Sequence, residues 1–158
     1  MNISDEIERK YLIKYIPHDL EKYPKDRIEQ GYIIYNDDTE VRVRKLNDEY
    51  FLTIKVGKGE VRREVELKLF PEQFDQLWDV TEGRRIEKTR YKIDYDSIII
   101  EVDVYNCNLE GFISAEVEFK SVEESQSFQP PEWFGNEVTN DERYKNRNLA
   151  INGLPEKS

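Results

Sequence analysis

Polar and apolar residues alternate with period two along most of this chain, the pattern of strands whose successive side chains point to opposite faces. Asp5–Ile13 sets Glu6, Glu8 and Lys10 against Ile7, Arg9 and Tyr11. A loop with Pro17, His18 and Pro24 follows, and a strand is predicted at Arg27–Tyr35. Thr39–Leu46 and Tyr50–Val56 alternate in the same way around the Asp48–Glu49 turn, and Gly57-Lys58-Gly59 reads as a hairpin connection to Glu60–Phe70. Three more strands are predicted at Arg85–Asp94, Ser97–Tyr105 and Phe112–Lys120. The period changes after Pro71, where Phe74, Leu77 and Trp78 fall at helical spacing. The tail reads as a polar helix near Val122–Phe128, a Pro130-Pro131 break, and a helix from about Asn140 through Ala150.

Eight strands with mostly short connections favour antiparallel pairing, since parallel strands need long crossovers. The 158 residues make one domain, 1–158. The expected class is α+β: a closed eight-stranded antiparallel β-barrel forming a tunnel, with helices packed outside.

Charge changes the picture more than hydropathy does. On the polar faces, acids recur at i, i+2 in Glu6/Glu8, Glu64/Glu66, Glu101/Asp103 and Glu116/Glu118. Bases recur the same way in Arg42/Arg44 and Lys88/Arg90, with Lys55 and Arg62 nearby in sequence. Residues i and i+2 point the same way about 6.5–7 Å apart. Paired carboxylates at that distance suit a divalent cation, and paired guanidiniums suit neighbouring phosphates. Oxygen donors without His or Cys clusters favour magnesium or manganese over zinc. A dozen charges buried without partners would be costly, so an inward charged face implies a wet cavity holding ions and a polyanion.

Composition sets the outer bounds. The net charge of −10 disfavours nucleic acid as a partner, and 12% aromatic residues argue against disorder. The single cysteine, Cys107, permits no internal disulfide and suits a reducing compartment. No apolar run approaches a membrane span, and the first residues carry no secretion-signal pattern, so a cytoplasmic protein is expected. One histidine, His18, supports no hydrolytic triad; it reads as a surface residue, and Trp78 and Trp133 read as packing anchors.

The opening EIERK, residues 6–10, resembles the ExExK signature of the CYTH superfamily, the triphosphate tunnel metalloenzymes. The likeness continues in order through VRVR (Arg42, Arg44), TIK (Lys55), RREVE (Arg62, Glu64, Glu66), EKTRY (Lys88, Arg90), EVD (Glu101, Asp103), AEVEF (Glu116, Glu118) and DERYKN (Lys145). EGRRIEKTRY and PPEWFGNEVTNDERYKN are most similar to short bacterial members of the tripolyphosphatase type. The resemblance implies hydrolysis of inorganic triphosphate with magnesium or manganese, two ions being expected. It implies that Glu6, Glu8, Glu116 and Glu118 hold metal, with Glu64, Glu66, Glu101 and Asp103 as further ligands or water-orienting groups. Lys10, Arg42, Arg44, Lys55, Arg62, Lys88 and Arg90 grip the phosphates, and Lys145 closes one mouth.

The expected chemistry is attack of a metal-activated water on the terminal phosphorus. Glu8, Lys10 and Glu118 are the candidate catalytic groups. Tyr32 joins them if it points inward toward Lys10 or the water, and is otherwise a core tyrosine. Nucleoside or thiamine triphosphate hydrolysis, class IV-type cyclisation of ATP, and a non-catalytic polyphosphate-binding module are the alternatives. Oligomeric state is not encoded in any of these features.

Overall fold

The alternating segments pair side by side into one antiparallel sheet. A computed structural model describes residues 7–57 and 63–156. Its strands are β1 (Ile7–Ile13), β2 (Lys25–Tyr35), β3 (Thr39–Leu46), β4 (Glu49–Val56), β5 (Arg63–Lys68), β6 (Arg85–Tyr95), β7 (Ile98–Tyr105), β8 (Ile113–Phe119) and β9 (Phe134–Glu137). The helices are α1 (Pro71–Asp79), α2 (Val122–Ser127) and α3 (Asn146–Asn152). Among the described residues no helix is long and apolar enough to cross a membrane.

The sheet runs β5-β4-β3-β2-β6-β7-β8-β1-β9 and does not close. This corrects the expected eight-stranded barrel on two counts. The short segment Phe134–Glu137 adds a ninth strand to the edge of β1, pairing Tyr11 with Glu137 and Ile13 with Phe134. That takes up the edge of β1 that closure would use, and β5 is left as the opposite edge.

Register explains why one face is charged. Directly opposed residues of an antiparallel pair lie on the same face. Lys10 faces Glu116, Glu116 faces Glu101, Asp103 faces Arg90, Gln30 faces Arg44, and Glu40 faces Lys55. A one-residue slip anywhere would break this continuity.

The opposite face is apolar. Tyr11, Ile93, Ile100, Val102, Val117 and Phe119 form its buried centre with Phe128 and Phe134 from the tail. Helix α2, whose Ser121 cap accepts from the Glu124 amide at 3.1 Å, contacts β1 and β8. Trp133 packs edge-on against Phe134, and Trp78 stacks on Phe74 in α1. His18 and Cys107 are exposed. The third helix departs from the expected arrangement. Leu149 of α3 is buried against Tyr32, Ile86 and Tyr105, which share the charged face, so α3 plugs one end of that face instead of packing outside the sheet.

Gly31 lets the turn after α1 approach β2. A Cβ at this position would lie 2.5 Å from Thr81 Oγ1 and 2.7 Å from Thr81 Cβ. Thr81 cannot yield, because it is fully buried, donates to Trp78 O at 2.7 Å and accepts from Arg85 Nε at 3.1 Å. Gly31→Ala is expected to cost about 1–3 kcal/mol by overpacking. Urea denaturation measures it, and a loss below about 0.5 kcal/mol would mean that the backbone here shifts freely.

Candidate functional site

The charged face gathers the residues singled out in the sequence. Strands β1, β8 and β7 contribute its acids: Glu8 opposite Glu118, and Glu101 opposite Glu116. Strands β6, β3 and β4 contribute Lys88, Arg90, Arg42, Arg44 and Lys55. On the edge strand β5, Glu64 stands opposite Lys55 and Glu66 opposite Thr53, both acids exposed. Glu6 and Arg62 lie outside the described residues.

At the deepest point Asp103 is almost fully buried with Lys88. Its Oδ2 accepts from Lys88 Nζ at 2.8 Å and Arg90 Nη2 at 3.0 Å, and its Oδ1 accepts from Arg90 Nε at 2.8 Å. Burial alone would raise the Asp103 pKa, but the two cations hold it well below the usual carboxylate range. Burial pushes Lys88 down to about 8 despite Asp103. Burial works against the Arg90 charge too, but Asp103, Glu101 and Glu116 outweigh it and raise its pKa. Arg90 reaches Glu101 at 2.9 Å and Glu116 at 3.5 Å. Asp103 thus serves two cations with both oxygens, an anchoring arrangement that leaves it poorly placed to ligate metal. Burial also raises the Glu101 pKa.

Adjoining this cluster through Glu116 lies a cavity of about 360 Å³, lined by residues of β1, β2, β3, β4 and β8 and by the 138–147 segment. Lys10, Arg42, Lys55, Lys145 and Arg147 bring positive charge to it; Glu8, Glu40, Glu116 and Asp141 bring negative charge. Lys10 Nζ donates to Tyr144 O at 2.6 Å, which ties β1 to the segment that covers it. Burial lowers the Lys10 pKa. Lys145 caps the start of α3 and pairs with Glu142 at 3.0 Å.

Two guanidiniums in this wall are incompletely satisfied. Arg42 Nε and Arg147 Nε are buried without a hydrogen-bond partner, although Arg42 pairs with Glu40 at 3.6 Å and Arg147 with Glu142 at 3.6 Å. Buried donors left over in this way are expensive unless a ligand accepts from them. An anion is the ligand they suit. Arg147 and Glu40 were not singled out by the sequence reading. Arg147 follows the DERYKN motif directly and could have been found only by extending that motif one residue; Glu40 alternates with Arg42 and could pass for an ordinary surface pair.

The acid rim fits a divalent cation by its donor chemistry. Glu8 and Glu118 are opposed like charges on neighbouring strands, a destabilising arrangement that a cation between them relieves. All donors are oxygens. Among the described residues no three acids close around one point, so the pairs do not form a complete protein cage. That suits an ion such as magnesium, which is commonly held by one or two carboxylates together with water and substrate phosphates.

Known proteins resemble this chain in sequence and in fold. The CYTH domain family model matches residues 4–147. An inorganic triphosphatase of Nitrosomonas europaea is 44% identical over 149 residues, covering 92% of this chain and 97% of that protein. An inorganic triphosphatase of Acetivibrio thermocellus is 38% identical over 125 residues, covering 78% of this chain and 79% of its own length. A crystal structure of an inorganic triphosphatase superposes with a TM-score of 0.78 at 40% identity, over 95% of this chain and 100% of the other.

Proposed function

The chain belongs to the CYTH domain family, and from that premise we propose that it hydrolyses inorganic triphosphate to pyrophosphate and phosphate. The observation that carries this reading is the pair of half-buried arginines, Arg42 and Arg147, each with a buried, unpartnered Nε donor in the wall of a cavity that also holds Lys10 and Lys55.

In this reading the phosphate chain lies between the arginines and the acid rim. Arg42, Arg147 and Lys55 accept the substrate's charge, and Lys10, anchored to Tyr144 O, meets it from β1. Lys88 and Arg90 are tied up by Asp103, and Arg44 is held at about 10 by burial and by its cationic neighbours Arg42 and Arg90. Water attacks the terminal phosphorus, the bond to the bridging oxygen breaks, and the pyrophosphate leaves into a ring of fixed positive charge. Glu8, Glu118 and Glu116, with Glu6 beyond the described residues, would hold magnesium or manganese. Bound there, such ions supply Lewis-acid charge and lower the pKa of water. Tyr32 lines the cavity and offers a hydroxyl to the substrate.

A panel of tripolyphosphate, ATP and thiamine triphosphate, each with and without magnesium or manganese, tests the reading. Tripolyphosphate should be cleaved fastest, only with metal, and without cyclic nucleotide formation from ATP. Arg42→Met and Arg147→Met should each weaken substrate use by about 10- to 100-fold, as expected on losing hydrogen bonds to a charged group. Equal or faster turnover of an organic triphosphate would replace the proposed substrate; no turnover of any would leave only a binding module.

A further inference from the structure

Behind Tyr32, which lines the cavity, lies a polar contact that neither charge pairing nor packing requires. Arg44 Nε donates to Gln30 Oε1 at 2.8 Å across β3 and β2. A guanidinium has donors only, so the oxygen end of the Gln30 amide must face it. Chemistry alone therefore fixes which way the amide points. Its Nε2 is left facing Tyr32, two residues along the same face, and donates to Tyr32 Oη at 2.5 Å. Both side chains are closed to bulk water, Gln30 at 0% and Tyr32 at 1% exposure.

A phenol that accepts from an amide still has its own hydrogen to give. Tyr32 lines the cavity, and among the described residues its hydroxyl donates to no protein group. The geometry points to Gln30 as a positioning residue, which occupies the acceptor side of Tyr32 and so turns its O–H into the cavity as a donor to a substrate phosphate oxygen. The inference rests on the triphosphate reading above and deepens it. Burial raises the Tyr32 pKa, which keeps the donor's proton in place. Arg44 sets the direction of the whole chain: without a donor-only group behind it, the amide could rotate and take the Tyr32 hydrogen for itself.

Gln30→Glu separates this role from simple packing. The new carboxylate still accepts from Arg44 and has nearly the same shape, but it also accepts from Tyr32 and draws the O–H away from the cavity. We expect its kcat on tripolyphosphate to fall about 10- to 100-fold, to the level of Tyr32→Phe. The double variant Gln30→Glu/Tyr32→Phe should be no slower than Tyr32→Phe alone, because the same hydrogen bond is lost only once. Independent, multiplying losses would overturn the inference, as would wild-type kcat in Gln30→Glu. If that variant fails to fold, the Gln30 side-chain amide decides: its proton resonances should shift in Tyr32→Phe, and unchanged resonances refute the contact. The same measurement stands if the wild type cleaves no triphosphate, an outcome that would remove the functional reading instead.

Discussion

Asp103→Asn is expected to lower the unfolding free energy by about 3–5 kcal/mol at neutral pH, the range for breaking a buried charge pair from one side. The substitution keeps the volume and removes the charge. Lys88, whose side chain is 0% exposed, would lose its partner at 2.8 Å, and Arg90 would lose two hydrogen bonds to a charged acceptor. Arg90 keeps Glu101 at 2.9 Å, but Lys88 has no second acid within ion-pair distance among the described residues.

The pH dependence gives the loss a signature. Burial opposes the charge of Asp103, yet Lys88 and Arg90 depress its pKa in the folded state. A depressed carboxyl stabilises the fold fully above its unfolded pKa of about 3.9 and loses that contribution as pH falls through the folded value. The gap between wild type and Asp103→Asn should therefore be widest above pH ~4 and shrink as the solution is acidified further. Urea denaturation at neutral and acidic pH measures both quantities. A loss below about 1 kcal/mol at neutral pH, or a gap indifferent to acid, would show that Lys88 and Arg90 are stabilised by something other than this carboxylate.

The strands and the charged face were legible because alternation reports directly on which side chains share a face. Lys10, Arg42, Lys55, Glu116 and Lys145 do meet around one cavity. The failures have physical causes too. Phe134–Glu137 has four residues and no alternation, and its place is set by β1's open edge, which no local pattern announces. Closure depends on how far the sheet curls and on what occupies its edges, so eight alternating segments could not decide it. Asp103 and Glu101 look identical in sequence as an i, i+2 acid pair. Only register shows that Asp103 meets Arg90 and lies within reach of Lys88, and so differs from the rim acids. Gln30 and Arg147 escaped notice because a lone glutamine in a strand and one more arginine in a charged tail carry no distinctive spacing. Their roles appear only when buried donors and acceptors are matched one by one.

The rim acids should behave in the opposite way to Asp103. Glu8→Gln and Glu118→Gln are each expected to reduce tripolyphosphate turnover at fixed magnesium by roughly 10²-fold or more, the size of losing several kcal/mol of metal-assisted charge stabilisation. Neither should damage the metal-free fold. The two carboxylates face each other across β1 and β8, both exposed, so neutralising one relieves a like-charge contact. Metal-free, Glu118→Gln should melt at or slightly above the wild-type temperature, and Glu8→Gln, which also gives up its attraction to Lys10, close to it. With magnesium and tripolyphosphate the order should reverse. Wild type gains stability by mass action, about 2.7 kcal/mol when free ligand is a hundred times its dissociation constant, while a variant that has lost a ligand gains much less. Thermal melts of the three proteins, with and without metal and substrate, should therefore cross. Parallel melts combined with near-normal turnover would remove Glu8 and Glu118 from the metal site and move the ion to acids deeper in the sheet.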